Sequence, residues 1–232
     1  MKTKIFCDTA DYKIIKKLAK KQLVKGFTTN PSLMRLAGAK NYKKYAKQVL
    51  QICCNKPISF EVFADNTNEM IEQGLKINKW GKNVYVKIPV TNSKGKFSGK
   101  AIRYLSNKNV KLNITAVYTS NQTRKILKNL NKNTKSIISI FAGRMSDVGK
   151  DPITIIKECV KLSKRYKKVE ILWASTREPY NFTQANQIGC NIITMPEKII
   201  EKVSKFGKSF QSLTTETVKK FLIDSKKSNF KL

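Results

Sequence analysis

A lysine stands in the middle of an apolar run, Val84-Tyr85-Val86-Lys87-Ile88-Pro89. If that run is a strand, Lys87 is buried, and a buried ammonium is costly unless it is paired or deprotonated. Burial and cationic neighbours lower a lysine pKa, and the freed amine can then attack a carbonyl carbon to form a Schiff base. The competing reading is a lysine whose stem snorkels past a strand edge. Two carboxylates occur in comparable places: Asp8 closes the run Lys4–Cys7, and Glu61 lies inside Phe60-Glu61-Val62-Phe63. Both are candidates for proton transfer. Asp8 could equally cap a helix starting near Tyr12, and Glu61 could be a half-exposed strand position. Arg144 and Arg177 have the fork geometry suited to phosphate oxygens. With Ser175 and an electrophile-seeking lysine, they point to a sugar phosphate as the ligand.

The chain contains no histidine. That removes Ser-His-Asp triads, Cys-His dyads and HExxH zinc sites in one step. Acid–base work must fall to carboxylates, lysines, tyrosines, thiols or a bound water.

These residues need a scaffold, and short β-rich runs recur to supply one: Lys4–Cys7, Gly26–Thr29, Ile58–Phe63, Val84–Ile88, Lys111–Val117, Ile137–Phe141, Val169–Trp173 and Asn191–Met195. Most are followed by an amphipathic segment, for example Tyr12–Lys21, Tyr42–Ile52, Asn66–Lys79 or Pro152–Arg165, as repeated βα units require. Eight such units in 232 residues predict an α/β fold, a single (β/α)8 TIM barrel spanning 1–232, with a doubly wound open sheet as the runner-up. No GxGxxG or GxxxxGK[ST] follows a strand, which counts against a nucleotide-binding open sheet. Residues 205–232 read as a C-terminal helix, Thr215–Lys226, and a basic tail that could cap the barrel or reach another subunit. In a barrel, groups at the carboxyl ends of the strands converge on one mouth. Asp8, Thr29-Asn30, Glu61, Lys87, Asn113, Thr115, Ser139, Arg144, Ser175 and Arg177 all fall at or just after those ends.

Composition narrows the setting. There are 47 Lys plus Arg against 15 Asp plus Glu, a net charge of +32. The lysines are scattered in pairs at helical spacing, the pattern of solvated helix faces, so nucleic acid is not expected as a partner. The five cysteines are odd in number and lack CxxC spacing, which argues for buried thiols in a reducing compartment. No segment resembles a signal peptide or a membrane span, so a cytoplasmic protein without a membrane partner is expected.

The motifs together resemble the transaldolase family, in particular its short subclass that also contains the fructose-6-phosphate aldolases. They are Phe6-Cys7-Asp8-Thr9-Ala10, Gly26-Phe27-Thr28-Thr29-Asn30-Pro31-Ser32, Ser59-Phe60-Glu61-Val62, Val86-Lys87-Ile88-Pro89, Leu112-Asn113-Ile114-Thr115, Phe141-Ala142-Gly143-Arg144 and Ala174-Ser175-Thr176-Arg177. The resemblance implies a class I enzyme that transfers a dihydroxyacetone unit between sugar phosphates, with no metal or organic cofactor and a homo-oligomeric state. It implies Lys87 as the Schiff-base lysine, Asp8 as the acid–base group, and Glu61 with Thr115 as holders of a proton-shuttling water. Asn30, Asn113 and Ser139 would bind the hydroxyls of the three-carbon unit, and Arg144, Ser175 and Arg177 the phosphate. Glu61 and Phe141 match the transaldolases, whereas the aldolase-type relatives carry Gln and Tyr there. Ile140, the segment Thr91–Gly99, Tyr118 and Trp173 depart from the common pattern. An aldolase releasing free dihydroxyacetone, and a silent barrel that binds polyanions, are the alternatives.

Overall fold

The computed structural model describes residues 3–228. Eight parallel strands close into a barrel in chain order, β8 pairing back onto β1. The strands are β1 (Lys4–Asp8), β2 (Val24–Thr28), β3 (Ile58–Glu61), β4 (Val84–Pro89), β5 (Leu112–Val117), β6 (Ser136–Ile140), β7 (Val169–Trp173) and β8 (Ile192–Met195). Between them run α1 (Tyr12–Ala19), α2 (Pro31–Leu36), α3 (Tyr42–Ile52), α4 (Thr67–Asn78), α5 (Gly99–Asn107) and α6 (Ser120–Leu127). The later helices are α7 (Ala142–Ser146), α8 (Ile153–Ser163), α9 (Tyr180–Gln187), α10 (Glu197–Val203) and α11 (Phe210–Ser228). Closure excludes the open sheet.

Successive strand residues face opposite ways, and the sequence uses this alternation strictly. Outward-facing Ile5, Cys7, Val86, Ile88, Ile138, Ile171, Trp173 and Ile193 belong to one buried layer with the helices. Inward-facing Phe6, Tyr85, Ile137, Leu172, Ala174 and Ile192 form a second, smaller cluster inside the barrel. The lower interior is thus an apolar plug. Its centre depends on Gly26, where a Cβ would stand 2.5 Å from the Phe6 ring. One step further along seven of the strands the inward residue is polar, namely Asp8, Thr28, Glu61, Lys87, Thr115, Ser139 and Thr194, while after β7 it is Ala174. Trp173 packs in the outer layer rather than facing the barrel mouth.

Helix starts follow local capping chemistry. Asp11, Asn30, Asn41 and Asn66 each accept a hydrogen bond from a backbone N–H in the first turn of the helix they precede, which satisfies an otherwise orphaned donor. Helix α11 starts at Phe210, five residues before the Thr215 expected from sequence, and none of its residues is buried. The last part of the expected basic tail, 229–232, lies outside the described residues.

Candidate functional site

The polar ends of the strands surround a cavity of about 180 Å³ lined by Asp8, Thr28, Asn30, Lys87, Ser139 and Arg144, among others. Lys87 is only 6% exposed at its base. Its Nζ donates to the Thr29 carbonyl at 3.0 Å and lies 3.3 Å from Glu61 Oε2. The pairing is built by strand register, because Glu61 on β3 stands opposite Lys87 on β4, and Lys87 stands opposite Asn113 on β5. The lysine is therefore engaged deep in the barrel and does not snorkel past an edge.

Asp8 does not cap α1. That role belongs to Asp11, whose Oδ1 accepts from the Ile14 N–H at 2.9 Å. The Asp8 carboxylate instead accepts from the Thr28 hydroxyl at 2.7 Å. Thr28 Oγ1 also lies 2.6 Å from Thr194 Oγ1. Thr28 has one proton and gives it to Asp8, so Thr194 is the donor in the second bond. Burial raises the Asp8 pKa above the ordinary carboxylate value, against the opposing pull of the Lys87 charge and the Thr28 hydrogen bond. Sequence reading missed Thr28 and Thr194. Both occupy inward positions two residues beyond Gly26 and Ile192, so period-two alternation was the signal that could have found them.

Glu61 is half-buried, and Tyr42 on α3 holds its backbone from behind. The phenol donates to the Glu61 carbonyl at 3.1 Å and accepts from its N–H at 2.9 Å. Tyr42 in turn packs edge-on against Phe60 and Phe63, and burial raises its pKa, keeping it a neutral phenol. Thr115 lines the cavity, and its buried hydroxyl has no hydrogen-bond partner among the described residues. The next residue, Ala116, has φ +58° at an irregularity in the pairing of β5 with β6. Such a bulge re-aims neighbouring side chains.

Asn113 is fully buried. Its Nδ2 donates to Ser59 Oγ at 2.9 Å and its Oδ1 accepts from Ser139 Oγ at 2.7 Å. Ser139 reaches the cavity wall, with Asn113 bracing it from beside. Asn30 does two jobs: its Oδ1 accepts from the Leu33 N–H at 2.8 Å to cap α2, and the residue also lines the cavity.

At the outer rim, Arg144, Phe141 and Ser175 also line the cavity. The Arg144 guanidinium lies over the Phe141 ring, 5.8 Å from its centroid, and Tyr118 meets that ring edge-on at the same distance. Ser175 has φ +62°. A Cβ on Gly143 would fall 1.6 Å from the Ser175 carbonyl oxygen, so only glycine lets α7 approach this turn. Arg177 is not brought to the cavity wall. Its Nε donates to Asp147 Oδ1 at 3.0 Å, and a terminal nitrogen bonds the other carboxylate oxygen. That fork-to-carboxylate pair was not expected from sequence.

Among the described residues no group of three Cys, Asp or Glu side chains is placed to hold a metal ion. No described helix is long and apolar enough to cross a membrane. All five cysteines are free, and all but Cys54 are buried. Burial pushes the thiols of Cys159 and Cys190 up to about 11 and about 12.

Comparison with known proteins places these features. Residues 5–232 match the family described as Transaldolase/Fructose-6-phosphate aldolase. A probable transaldolase of Herpetosiphon aurantiacus is 32% identical over 95% of this chain and 94% of its own. One from Thermoplasma volcanium is 36% identical over 97% and 96%. Among solved structures, one described as native KDPGal superposes with a TM-score of 0.56 at 12% identity, covering 90% of this chain and 88% of the other. A dihydrodipicolinate synthase family protein from Coccidioides immitis gives 0.58 at 13% identity, covering 84% and 68%. At those identities the structural matches speak to the barrel alone.

Proposed function

The chain belongs to the transaldolase/fructose-6-phosphate aldolase family, and from that premise we propose that it works through a Schiff base on Lys87 and takes sugar phosphates. It is an enzyme of transaldolase type. The observation that carries the mechanism is the placement of Lys87, nearly buried, 3.3 Å from Glu61 and sharing one cavity with Asp8.

The steps follow from that placement. The Lys87 ammonium gives up a proton, with Glu61 as the adjacent base, and the amine attacks the keto carbon of a ketose phosphate. The carbinolamine loses water to leave an iminium, an electron sink one carbon from the bond that breaks. Asp8 takes the proton of the hydroxyl on the far side of that bond as the bond cleaves and an aldehyde phosphate departs. Its raised pKa suits it to accept and later return that proton. The three-carbon enamine left on Lys87 adds to the carbonyl carbon of an acceptor aldehyde, Asp8 gives the proton back, and water hydrolyses the new iminium. Glu61 and the unpartnered Thr115 hydroxyl hold that water. Asn30 and Ser139 bind the hydroxyls of the three-carbon unit. Arg144 and Ser175 take the phosphate, joined by Arg177 when it leaves Asp147.

The transferase reading is favoured over release of free dihydroxyacetone because Phe141 brings no hydroxyl to the cavity. A homo-oligomer is part of the proposal: α11 exposes Phe210, Phe221 and Leu222 by more than half, and a second copy would cover them. The free, buried thiols fit a reducing, cytoplasmic setting.

Borohydride reduction in the presence of fructose 6-phosphate, followed by peptide mass mapping, tests the mechanism. A dihydroxyacetone-sized addition on the peptide containing Lys87 is expected. Addition to another lysine, or none with several ketose phosphates, would remove it.

A further inference from the structure

The opposite end of the barrel carries a second concentration of charge that the chemistry at Lys87 does not use. Lysines stand at the amino-terminal starts of the strands: Lys25 in β2, Lys82 two residues before β4, and Lys111, Lys135 and Lys168 immediately before β5, β6 and β7. Strands lie about 4.8 Å apart, so the topology gathers cations that are distant in sequence around one floor. Two cavities of about 770 and 450 Å³ open there and adjoin at Pro57, Tyr85 and Lys135. The Phe6–Tyr85–Ile137 end of the apolar plug forms the bottom of the smaller one.

Among the described residues little neutralises this ring. Glu170 is the one carboxylate lining either cavity, and Lys4 already occupies it at 2.6 Å. One of the ring ammoniums is fixed by backbone instead: Lys111 donates to the carbonyl of Lys82. Burial and then the neighbouring Lys135 charge lower the pKa of Lys111. Like charges crowded this way repel, and a bound anion would relieve the repulsion.

We propose that this lysine-ringed floor is a binding site for a compact polyphosphate anion, free or as the phosphate chain of a nucleotide. The lysines line two adjoining cavities rather than one projecting face, which favours a compact anion over a nucleic-acid duplex. Several neighbouring phosphates match several neighbouring ammoniums, whereas a single phosphate meets only part of the ring. The site is separated from Lys87 by the packed barrel interior, so it does not depend on the reaction proposed above.

Calorimetric titration of the full chain with sodium tripolyphosphate should show one saturable site. Lys111→Gln, Lys135→Gln and Lys168→Gln combined should weaken it roughly tenfold or more, since charge-assisted bonds are lost. The charge-matched set Lys43→Gln, Lys157→Gln and Lys202→Gln on outer helices should change it less than about twofold, because salt screens distant charges. ATP should displace tripolyphosphate and adenosine should not. Equal weakening by both sets would reduce the effect to net charge and overturn the proposal. So would ATP binding without tripolyphosphate binding, or duplex DNA binding that tripolyphosphate fails to compete. If the combined ring variant does not fold, Lys135→Gln and Lys168→Gln singly carry the same comparison.

Discussion

Glu61 faces Lys87 across the β3–β4 ladder, with its carboxylate oxygen 3.3 Å from the ammonium and its own backbone gripped by the Tyr42 phenol. A base held from both sides in this way keeps its reach to the amine without help from solvent. Glu61→Gln preserves the shape and removes the charge. Imine trapping with fructose 6-phosphate should then slow by a factor on the order of 10², the usual worth of one positioned proton-transfer group. Unchanged trapping kinetics in rapid-quench borohydride experiments would reduce Glu61 to a packing role.

Asp8→Asn should still form the imine yet lose turnover by roughly 10²–10⁴. It should also be the more stable protein at neutral pH. Burial raises the folded-state pKa of Asp8, so its protonated form favours folding. That contribution is fully present below the unfolded carboxyl value of about 3.9 and is lost as pH rises through the higher folded pKa. The asparagine mimics the protonated acid at every pH. Its melting temperature should exceed that of the wild type at pH 7, read by thermal denaturation of both proteins. The gap should close towards pH 3. A variant that melts lower than wild type at pH 7 would contradict this account.

The two arginines should not behave alike. Arg144→Ala should weaken use of fructose 6-phosphate by about ten- to a hundredfold, the worth of a hydrogen bond to a charged group, while sparing unphosphorylated ketoses. Arg177→Ala should cost less, because Asp147 already holds that guanidinium. Asp147→Asn should release it and lower KM for the phosphorylated substrate by up to about fivefold, since an exposed ion pair is worth at most about 1 kcal/mol. Equal losses on phosphorylated and free sugars would assign Arg144 to structure rather than to phosphate.

Phe141→Tyr should move the enzyme from transfer towards hydrolysis. The added hydroxyl would give a cavity water one more partner and ease release of the three-carbon unit. With fructose 6-phosphate alone, the wild type should yield little free dihydroxyacetone, and an acceptor such as erythrose 4-phosphate should raise glyceraldehyde 3-phosphate output many-fold. Fast wild-type turnover with no acceptor would make the enzyme an aldolase.

Much of this site was legible because a barrel strand writes its inward face at every second residue. Tyr85 then Lys87, Ile137 then Ser139, and Phe6 then Asp8 each step from plug to site in two positions. Boundaries were less legible. Sequence ran β3 on to Phe63, but the ladder ends at Glu61 and Phe63 is 57% exposed. It also favoured Thr29 over Thr28, yet the Thr29 hydroxyl leaves the cavity to donate to the Ser59 carbonyl at 2.7 Å. The Arg177–Asp147 pair could not be read at all. It joins residues 30 apart on two different loops, and only the pairing of β6 with β7 brings those loops together. Helix α11 also starts earlier than expected: Phe210 and Leu213, at helical spacing, lie in its first turn although Phe210 is 88% exposed.

The 1.6 Å between the Ser175 oxygen and the place where residue 143 would carry a Cβ also bears on how this chain can change over time. Any missense step away from glycine adds at least that carbon, and no rotamer can move it, because a Cβ has none. A substitution at 143 must therefore push apart the turn holding Ser175 and the helix holding Arg144. Both rim groups for the proposed phosphate would shift together. Drift that is harmless on the lysine-rich outer helices is closed at this position, and a relative with a side chain here would need a different route for the backbone after β7.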